Sequence, residues 1–511
     1  MTAEPVVETT SGRVRGVVER GVNVFKGIPY AAPPVGPLRF RPPQPLAPWS
    51  GVRDATSYGN MAVQSENVFA LPPDLLEIFP LGGTETCDED CLYLNVWSSG
   101  LSSGKRPVLF WCHGGAFITG SGSSPWNDGV NLCRSDDVVV VSFNHRLGVL
   151  GYLHLEDIAD GFEGAGTAGM MDIVAALEWV RDNIARFGGD PGNVTIFGES
   201  GGGAKVCVLM AMPRAKGLFH KAIVQSGPAV QMADRADGTR TARKVLAHLG
   251  LEPAQAGDLR HVSTARLLEA QAVVQADLAG AAFANRRRVG VNPVIDGKVF
   301  PGGPFARNAP AASADVPLMI GTNKDEHTLF IGHLPWVANA TFDSLPESLH
   351  QHLGARTAEV IATYRRTQPA LGPAEIAIAI VSDLAVRLMS LQIADRKLAQ
   401  KAAPVFVYLF SWETRALGGR LRSCHTLEVP FVFDNAGTAA IAGDDPARLP
   451  LARTMSRAWL AFARSGRPDH AGLPDWPAYT TAERATMVFD TECRVENDPF
   501  GTERRLWETT P

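Results

Sequence analysis

The chain has 511 residues, of which 45% are hydrophobic and 20% charged, and a net charge of −5. That is the composition of an ordinary soluble globular protein, and no Lys/Arg run offers a nucleic acid or an anionic membrane an electrostatic footprint. No apolar stretch approaches the roughly 18 residues that a membrane-spanning helix needs.

From the amino end, Met1-Thr-Ala-Glu-Pro-Val-Val-Glu8 has neither a basic region nor an apolar core, so no secretory signal is expected. After a Gly/Pro-rich connection at 31–46, Leu92 to Trp97 reads as a strand, and Pro107 to Cys112 as another. Between them lies a polar cluster with one Gly-x-Ser-x-Gly match, Gly100-Leu-Ser102-Ser-Gly104, and Ser102 with Lys105 also spells Ser-x-x-Lys. Both patterns need a helix to follow, and here a strand follows, so Ser102 reads as a solvated turn residue.

The Pro107 strand runs straight into Trp111-Cys-His113-Gly114-Gly115-Ala116-Phe117. Small residues at that point let the backbone turn its N–H groups toward an anion. Asp137 to Phe143 is a second near-continuous apolar run, as a strand buried on both faces requires. Met171 to Phe187 has helical spacing and stops at Gly188-Gly189.

The most informative segment is Val194-Thr-Ile-Phe-Gly-Glu-Ser200-Gly-Gly-Gly-Ala-Lys205. A β-branched run ends in Gly-x-Ser-x-Gly, and helix-compatible sequence from Ala204 to Met212 follows. That order puts Ser200 on a sharp strand-to-helix turn, with helix N–H groups facing any anion beside it. A serine hydroxyl is a weak nucleophile and needs a base, an acid to orient the base, and an anion site.

Ala222 to Ser226 is the next strand; then come a polar, helical stretch at 228–290 and a Gly/Pro-rich one at 297–310. Val316 to Gly321 and Val405 to Phe410 read as further core strands. The first of these leads into Asp325-Glu326-His327, two adjacent acids between which spacing cannot choose. The second leads to Ser423-Cys-His425-Thr-Leu-Glu-Val-Pro-Phe431, which places His425 late in the chain on a loop after a strand, where this hydrolase order puts its base. His350 and His352 read as solvated, His113 as packed in its glycine loop, and His470 has no core strand before it.

Alternating strands and helices predict one α/β domain over 1–511, a large mostly parallel sheet flanked by helices, with cap-like insertions around 228–290 and 330–400. Seven scattered cysteines (87, 91, 112, 133, 207, 424, 493), an odd number in a long chain, fit free thiols and a cytoplasmic setting better than a disulfide scaffold. Cys87 and Cys91 have no second Cys/His pair at zinc spacing.

With these segments in order, the chain resembles the type-B carboxylesterases, a family of α/β-hydrolases that includes para-nitrobenzyl esterase, vertebrate carboxylesterases and cholinesterases. The resemblance rests on Phe25-Lys-Gly-Ile-Pro-Tyr30, Ala32-Pro-Pro-Val-Gly36, Leu38-Arg-Phe40, Glu89-Asp-Cys-Leu-Tyr-Leu-Asn95, His113-Gly-Gly-Ala116, Asn144-His-Arg146, Phe187-Gly-Gly-Asp-Pro191, Phe197-Gly-Glu-Ser-Gly-Gly202, Pro293-Val-Ile-Asp-Gly297 and Asp325-Glu326. It implies Glu326 as the acid, His425 as the base and Ser200 as the nucleophile. It implies Gly115, Ala116 and Gly201 as oxyanion donors, Glu199 and Ser226 beside the triad, and the ion pairs Arg39–Glu89 and Arg146–Asp172.

The chain departs from the family in four places. Gly201 stands where alanine is common, which implies a more flexible donor. His327 replaces a common glycine, adding a titratable ring beside Glu326. The early cysteine that partners Cys91 in secreted relatives is missing from Tyr58 to Gln64, and the choline-holding tryptophan is missing from Ile78 to Glu89, where Phe79 is the only aromatic.

The expected activity is hydrolysis of small carboxylic esters through an acyl-enzyme, with no metal or organic cofactor and a small-molecule ester as partner. An amidase or thioesterase would use the same triad. A non-catalytic adhesion relative would have lost the serine or histidine, and both are present. The oligomeric state and the natural acyl and alcohol groups stay open. Activity should rise as a histidine loses its proton in about the pH 6–7.5 range, with His327 adding a second step.

Overall fold

A computed structural model describes residues 4–66, 68–80, 82–102, 105–279 and 290–508. Ser103 and Gly104 of the second Gly-x-Ser-x-Gly match, and residues 280–289 of the stretch 228–290, lie outside them. Eleven strands form the central sheet: β1 (Val17–Glu19), β2 (Val22–Pro29), β3 (Tyr93–Ser98), β4 (Arg106–Cys112), β5 (Val139–Phe143), β6 (Gly189–Glu199), β7 (Lys221–Gln225), β8 (Leu318–Asn323), β9 (Val405–Phe410), β10 (Ala485–Phe489) and β11 (Arg494–Asn497).

Their order across the sheet is β11-β10-β9-β8-β7-β6-β4-β5-β3-β2-β1. The strands from β5 through β4, β6, β7, β8 and β9 to β10 pair in parallel, and the outer pairs on both sides are antiparallel. Strand β4 lies between β5 and β6, so the chain reverses its direction of travel across the sheet there. A crevice opens at such a switch point, outside the carboxyl ends of the strands.

Successive residues of the central strands divide between two apolar clusters. Val108, Phe110, Val139, Val141, Ile196, Val224 and Ile320 fall in one cluster. Leu109, Trp111, Val140, Phe197, Ile223 and Met319 fall in the other. Strict alternation puts the clusters on opposite faces of the sheet, which explains why these strands read as unbroken apolar runs. Helices α1 (Ala168–Asn183) and α2 (Gly201–Ala211) supply residues such as Ile173 and Val208 to the first cluster. Helix α3 (Arg448–Ser465) supplies Met455 and Trp459 to the second.

The stretch 228–290 carries the helices Arg235–Leu249 and Thr264–Ala279, and 330–400 carries five more, several of which gather a third cluster around Leu349, Val360 and Ile380. One expectation needs correcting here. Pro373–Leu398 is long and apolar enough, by length and composition, to cross a membrane. Its interior charges hid this: Arg387 donates to both carboxylate oxygens of Asp383, at 2.6 and 2.5 Å, so the two offset each other. More than half of the most apolar window is buried within the protein.

Both ion pairs implied by the resemblance are present. Arg39 Nε donates to Glu89 at 2.7 Å, and Arg146 makes a two-pronged contact with Asp172 at 2.8 and 2.6 Å. Arg146 also donates to the carbonyl of Arg41 at 2.6 Å, tying the Gly/Pro-rich connection to α1.

Candidate active site

Strand β6 ends at Glu199 and helix α2 starts at Gly201, leaving Ser200 at the bend with φ 56° and ψ −119°. A side chain is strained there, and the surroundings hold it in place: its N–H donates to Gln225 O at 2.9 Å. The bend closes because Gly202 lacks a side chain; a Cβ there would lie 2.0 Å from the carbonyl of Cys112. Ala116, Ser226 and Thr426 also carry positive φ, at 53°, 47° and 67°. Strained residues of this kind cluster where a site is over-determined by its surroundings.

His425 follows β9 and is buried. Its Nδ1 lies 2.5 Å from Glu326 Oε2, and its backbone N–H donates to the Glu326 carbonyl at 3.2 Å. Glu326 is fully buried, and its other oxygen accepts the Asn323 N–H at 2.8 Å. Asp325 faces away: it pairs with Arg422 at 3.3 Å and accepts the Ser423 N–H at 3.4 Å. The choice that spacing left open is therefore a difference of environment.

The Nε2 of His425 lies 3.1 Å from Glu199 Oε1, without the alignment of a hydrogen bond. Among the described residues Ser200 Oγ makes no hydrogen bond; it shares a cavity with His425 and Glu199. Glu428 was missed by the sequence reading. It is buried and accepts from Asn323 Nδ2 at 2.7 Å and from Gln225 Nε2 at 3.3 Å. Its signal was a lone carboxylate three residues after His425 in an otherwise apolar run.

Burial opposes charge throughout this cluster. It raises Glu199 well above the usual carboxylate range, and with Glu326 nearby it lifts Glu428 to about 7. Burial also pulls the His425 imidazolium down, but Glu199, Glu326 and Glu428 outweigh it and hold that group up, at about 9. His327 does not behave as expected of a titratable neighbour: burial and the nearby His425 push it down to about 3, so it stays neutral.

The loop after β4 turns its carbonyls away from the cavity. The Gly114 carbonyl lies 2.9 Å from His113 Nδ1, the Gly115 carbonyl accepts from Thr119 N at 3.0 Å, and the Phe117 carbonyl accepts from Gly148 N at 2.8 Å. Among the described residues, no acceptor meets the N–H groups of Gly115, Ala116 or Gly201. His113 packs in the loop as read, stacked on His145 at 5.0 Å. Ser226 is buried with its hydroxyl unpartnered among the described residues.

The cavity holds about 110 Å³, lined on one side by Gly114, Gly115, Ala116, Ser200 and His425. Phe69, Phe79, Trp126, Leu329 and Phe330 form its apolar wall. That volume is of the order of the ~150 Å³ cavity that admits a benzene ring.

The other candidates sit elsewhere. Ser102 is exposed on the turn before β4, where its carbonyl accepts from Arg106 at 2.9 Å. His350 is exposed, His352 half-buried, and His470 Nε2 lies 3.0 Å from the Thr454 carbonyl.

A model of the carboxylesterase family matches residues 3–507. The chain is 38% identical to the para-nitrobenzyl esterase of Bacillus subtilis, over 98% of each chain. It is 34% identical to the phenmedipham hydrolase of Pseudarthrobacter oxydans, over 96% of each. A crystal structure of a Geobacillus stearothermophilus carboxylesterase superposes with a TM-score of 0.84 at 40% identity, covering 98% of this chain and 99% of that one.

Proposed function

The chain belongs to the carboxylesterase family and is a carboxylic ester hydrolase of the α/β-hydrolase fold, and from that premise we propose that Ser200, His425 and Glu326 are its catalytic triad. The observation that carries this reading is the convergence of three distant segments. Ser200 and His425 line one cavity, and Glu326, buried behind it, lies 2.5 Å from Nδ1 of His425.

Substrate binding turns the serine hydroxyl onto Nε2, a contact that is often loose before substrate arrives. His425 takes the hydroxyl proton as Oγ attacks the ester carbonyl, and Glu326 stabilises the imidazolium. The unpartnered N–H groups of Gly115, Ala116 and Gly201 receive the oxyanion. The imidazolium then returns its proton to the departing alcohol as the ester C–O bond breaks. Water attacks the acyl-enzyme by the same route and frees the acid. Glu199, 3.1 Å from Nε2 of His425, flanks the base on the side away from Glu326.

The apolar wall and modest cavity favour esters with one ring-sized or short-chain group. The absence from Ile78 to Glu89 of the tryptophan that cholinesterases use for choline supports neutral substrates over choline esters. An odd number of scattered cysteines, with no disulfide among the described residues, supports a reducing, cytoplasmic setting. A panel of p-nitrophenyl esters from acetate to palmitate, with benzyl esters, an anilide and a thioester alongside, tests the reading. Highest kcat/KM should fall on short-chain or benzyl esters. Faster turnover of the anilide or thioester, or a maximum at palmitate, would contradict it.

A further inference from the structure

Lys205 takes no part in the chemistry above, yet it is a fully buried charge on the nucleophile helix. A buried ammonium persists only where its protons are taken up, because leaving water is costly. Its Nζ donates to the His113 carbonyl at 2.9 Å and to the Ala116 carbonyl at 2.8 Å, and it lies 5.3 Å from the ring of Phe117.

These are the two carbonyls that bracket the loop, and no other donor among the described residues meets them. The carbonyls of Gly114, Gly115 and Phe117 have their own partners, described above. Between the two Lys205 contacts lie the peptide planes carrying the N–H groups of Gly115 and Ala116. Ala116 has φ 53°, a strained value for a residue with a side chain, so something must hold it there.

Gly201 stands against the same peptide. A Cβ on Gly201 would lie 2.2 Å from the Ala116 carbonyl oxygen and 2.4 Å from its N and Cα. The glycine therefore admits a close approach of the loop to helix α2, and the packing replaces the expected flexibility with tight contact. Lys205, one helical turn further along, draws the loop into that space. Alanine at 201 could not coexist with the loop in this position.

We propose that Lys205 is a positioning residue that clamps the oxyanion loop onto Gly201, holding the Gly115 and Ala116 N–H groups in donor geometry. The proposal deepens the ester-hydrolase reading and rests on it. The pair explains two features together: a charge in an otherwise apolar helix, and a glycine where relatives of this kind commonly carry alanine.

The test compares the parent with Lys205→Met, which keeps length and apolar bulk but removes charge and donors. Five quantities are measured: kcat and KM on p-nitrophenyl butyrate, Ki of an aryl trifluoromethyl ketone that forms an oxyanion on the serine, Ki of benzyl alcohol, which forms none, and the thermal midpoint. In Lys205→Met, kcat should fall on the order of 10²-fold, the scale of one lost oxyanion donor. The ketone Ki should weaken by a similar factor, while KM and the benzyl alcohol Ki stay within about threefold, as a loss confined to the transition state requires.

Gly201→Ala should reproduce the selective loss by pushing the loop away, and should add little in the Lys205→Met background. It also tests the proposal alone if Lys205→Met does not fold. Parent-like kcat and ketone binding in either variant would overturn the proposal. So would equal weakening of ketone and alcohol, or fully multiplicative effects in the double variant. A parent that neither hydrolyses the ester nor binds the ketone would instead defeat the ester-hydrolase reading.

Discussion

Glu326 and Asp325 are neighbours in the chain with opposite surroundings, one against His425 and the other against Arg422. Glu326→Gln should lower kcat by about 10⁴-fold, the loss known for an equivalent triad acid, while Asp325→Asn should cost far less; steady-state kinetics on one ester decides, and the reverse ranking would show Asp325 to be the acid. Spacing could not separate them, because adjacent residues on a loop differ only in which way the loop turns.

The base must be neutral to accept the serine proton. Since the surrounding carboxylates hold His425 up at about 9, kcat/KM should climb with pH through a midpoint alkaline to the ~6.5 of a free imidazole. That moves the expected rise above the range read from sequence. Removing a carboxylate that favours the imidazolium lowers its pKa, so Glu199→Gln should shift the midpoint toward acid; no shift, or an alkaline one, would contradict the reading of the cluster. His327→Gly should leave the profile unchanged, because burial already keeps that ring neutral. Burial is what the sequence could not supply: His327 looked like a titrating neighbour, and Glu428 like one more polar residue in a loop.

At the scale of elements, the central strands were legible because both of their faces are covered, which demands continuous apolar sequence. The outer strands were harder. Val17–Glu19 and Arg494–Asn497 are short, half-exposed edges whose composition does not distinguish them from loops. The helix carrying Asp383 and Arg387 was underrated for a related reason, since two charges that offset each other look like interruptions when counted separately. The Arg146–Asp172 pair ties the β5 exit to α1, with side chains 3% and 0% exposed. Removing one partner strands a buried charge, so Asp172→Ala should destabilise the fold by about 3–5 kcal/mol. Denaturant unfolding measures this, and a loss below about 1 kcal/mol, the scale of an exposed pair, would show that the pair contributes little.

For the molecule as a whole, the segments at 113–117 and 200 leave the carboxyl ends of β4 and β6 at the switch point, and those at 326 and 425 follow the parallel strands β8 and β9, so Ser200 and His425 line one cavity with Glu326 buried behind it. Strand order was beyond reach in the sequence, yet the 113–117 and Ser200 motifs were legible because each follows an apolar run directly, whereas His425 lies on a long loop after its strand. No disulfide joins any two cysteines among the described residues, so thermal midpoints with and without dithiothreitol should agree; a clear drop on reduction would reveal a disulfide and argue against a reducing compartment. The account as a whole turns on Ser200. The most direct measurement is labelling of the intact protein with a fluorophosphonate probe, followed by peptide mapping, with activity followed in parallel. The account predicts one adduct, on Ser200, with activity lost in proportion to labelling and Ser200→Ala both inactive and unlabelled. An adduct on Ser102, or full activity in Ser200→Ala, would contradict it.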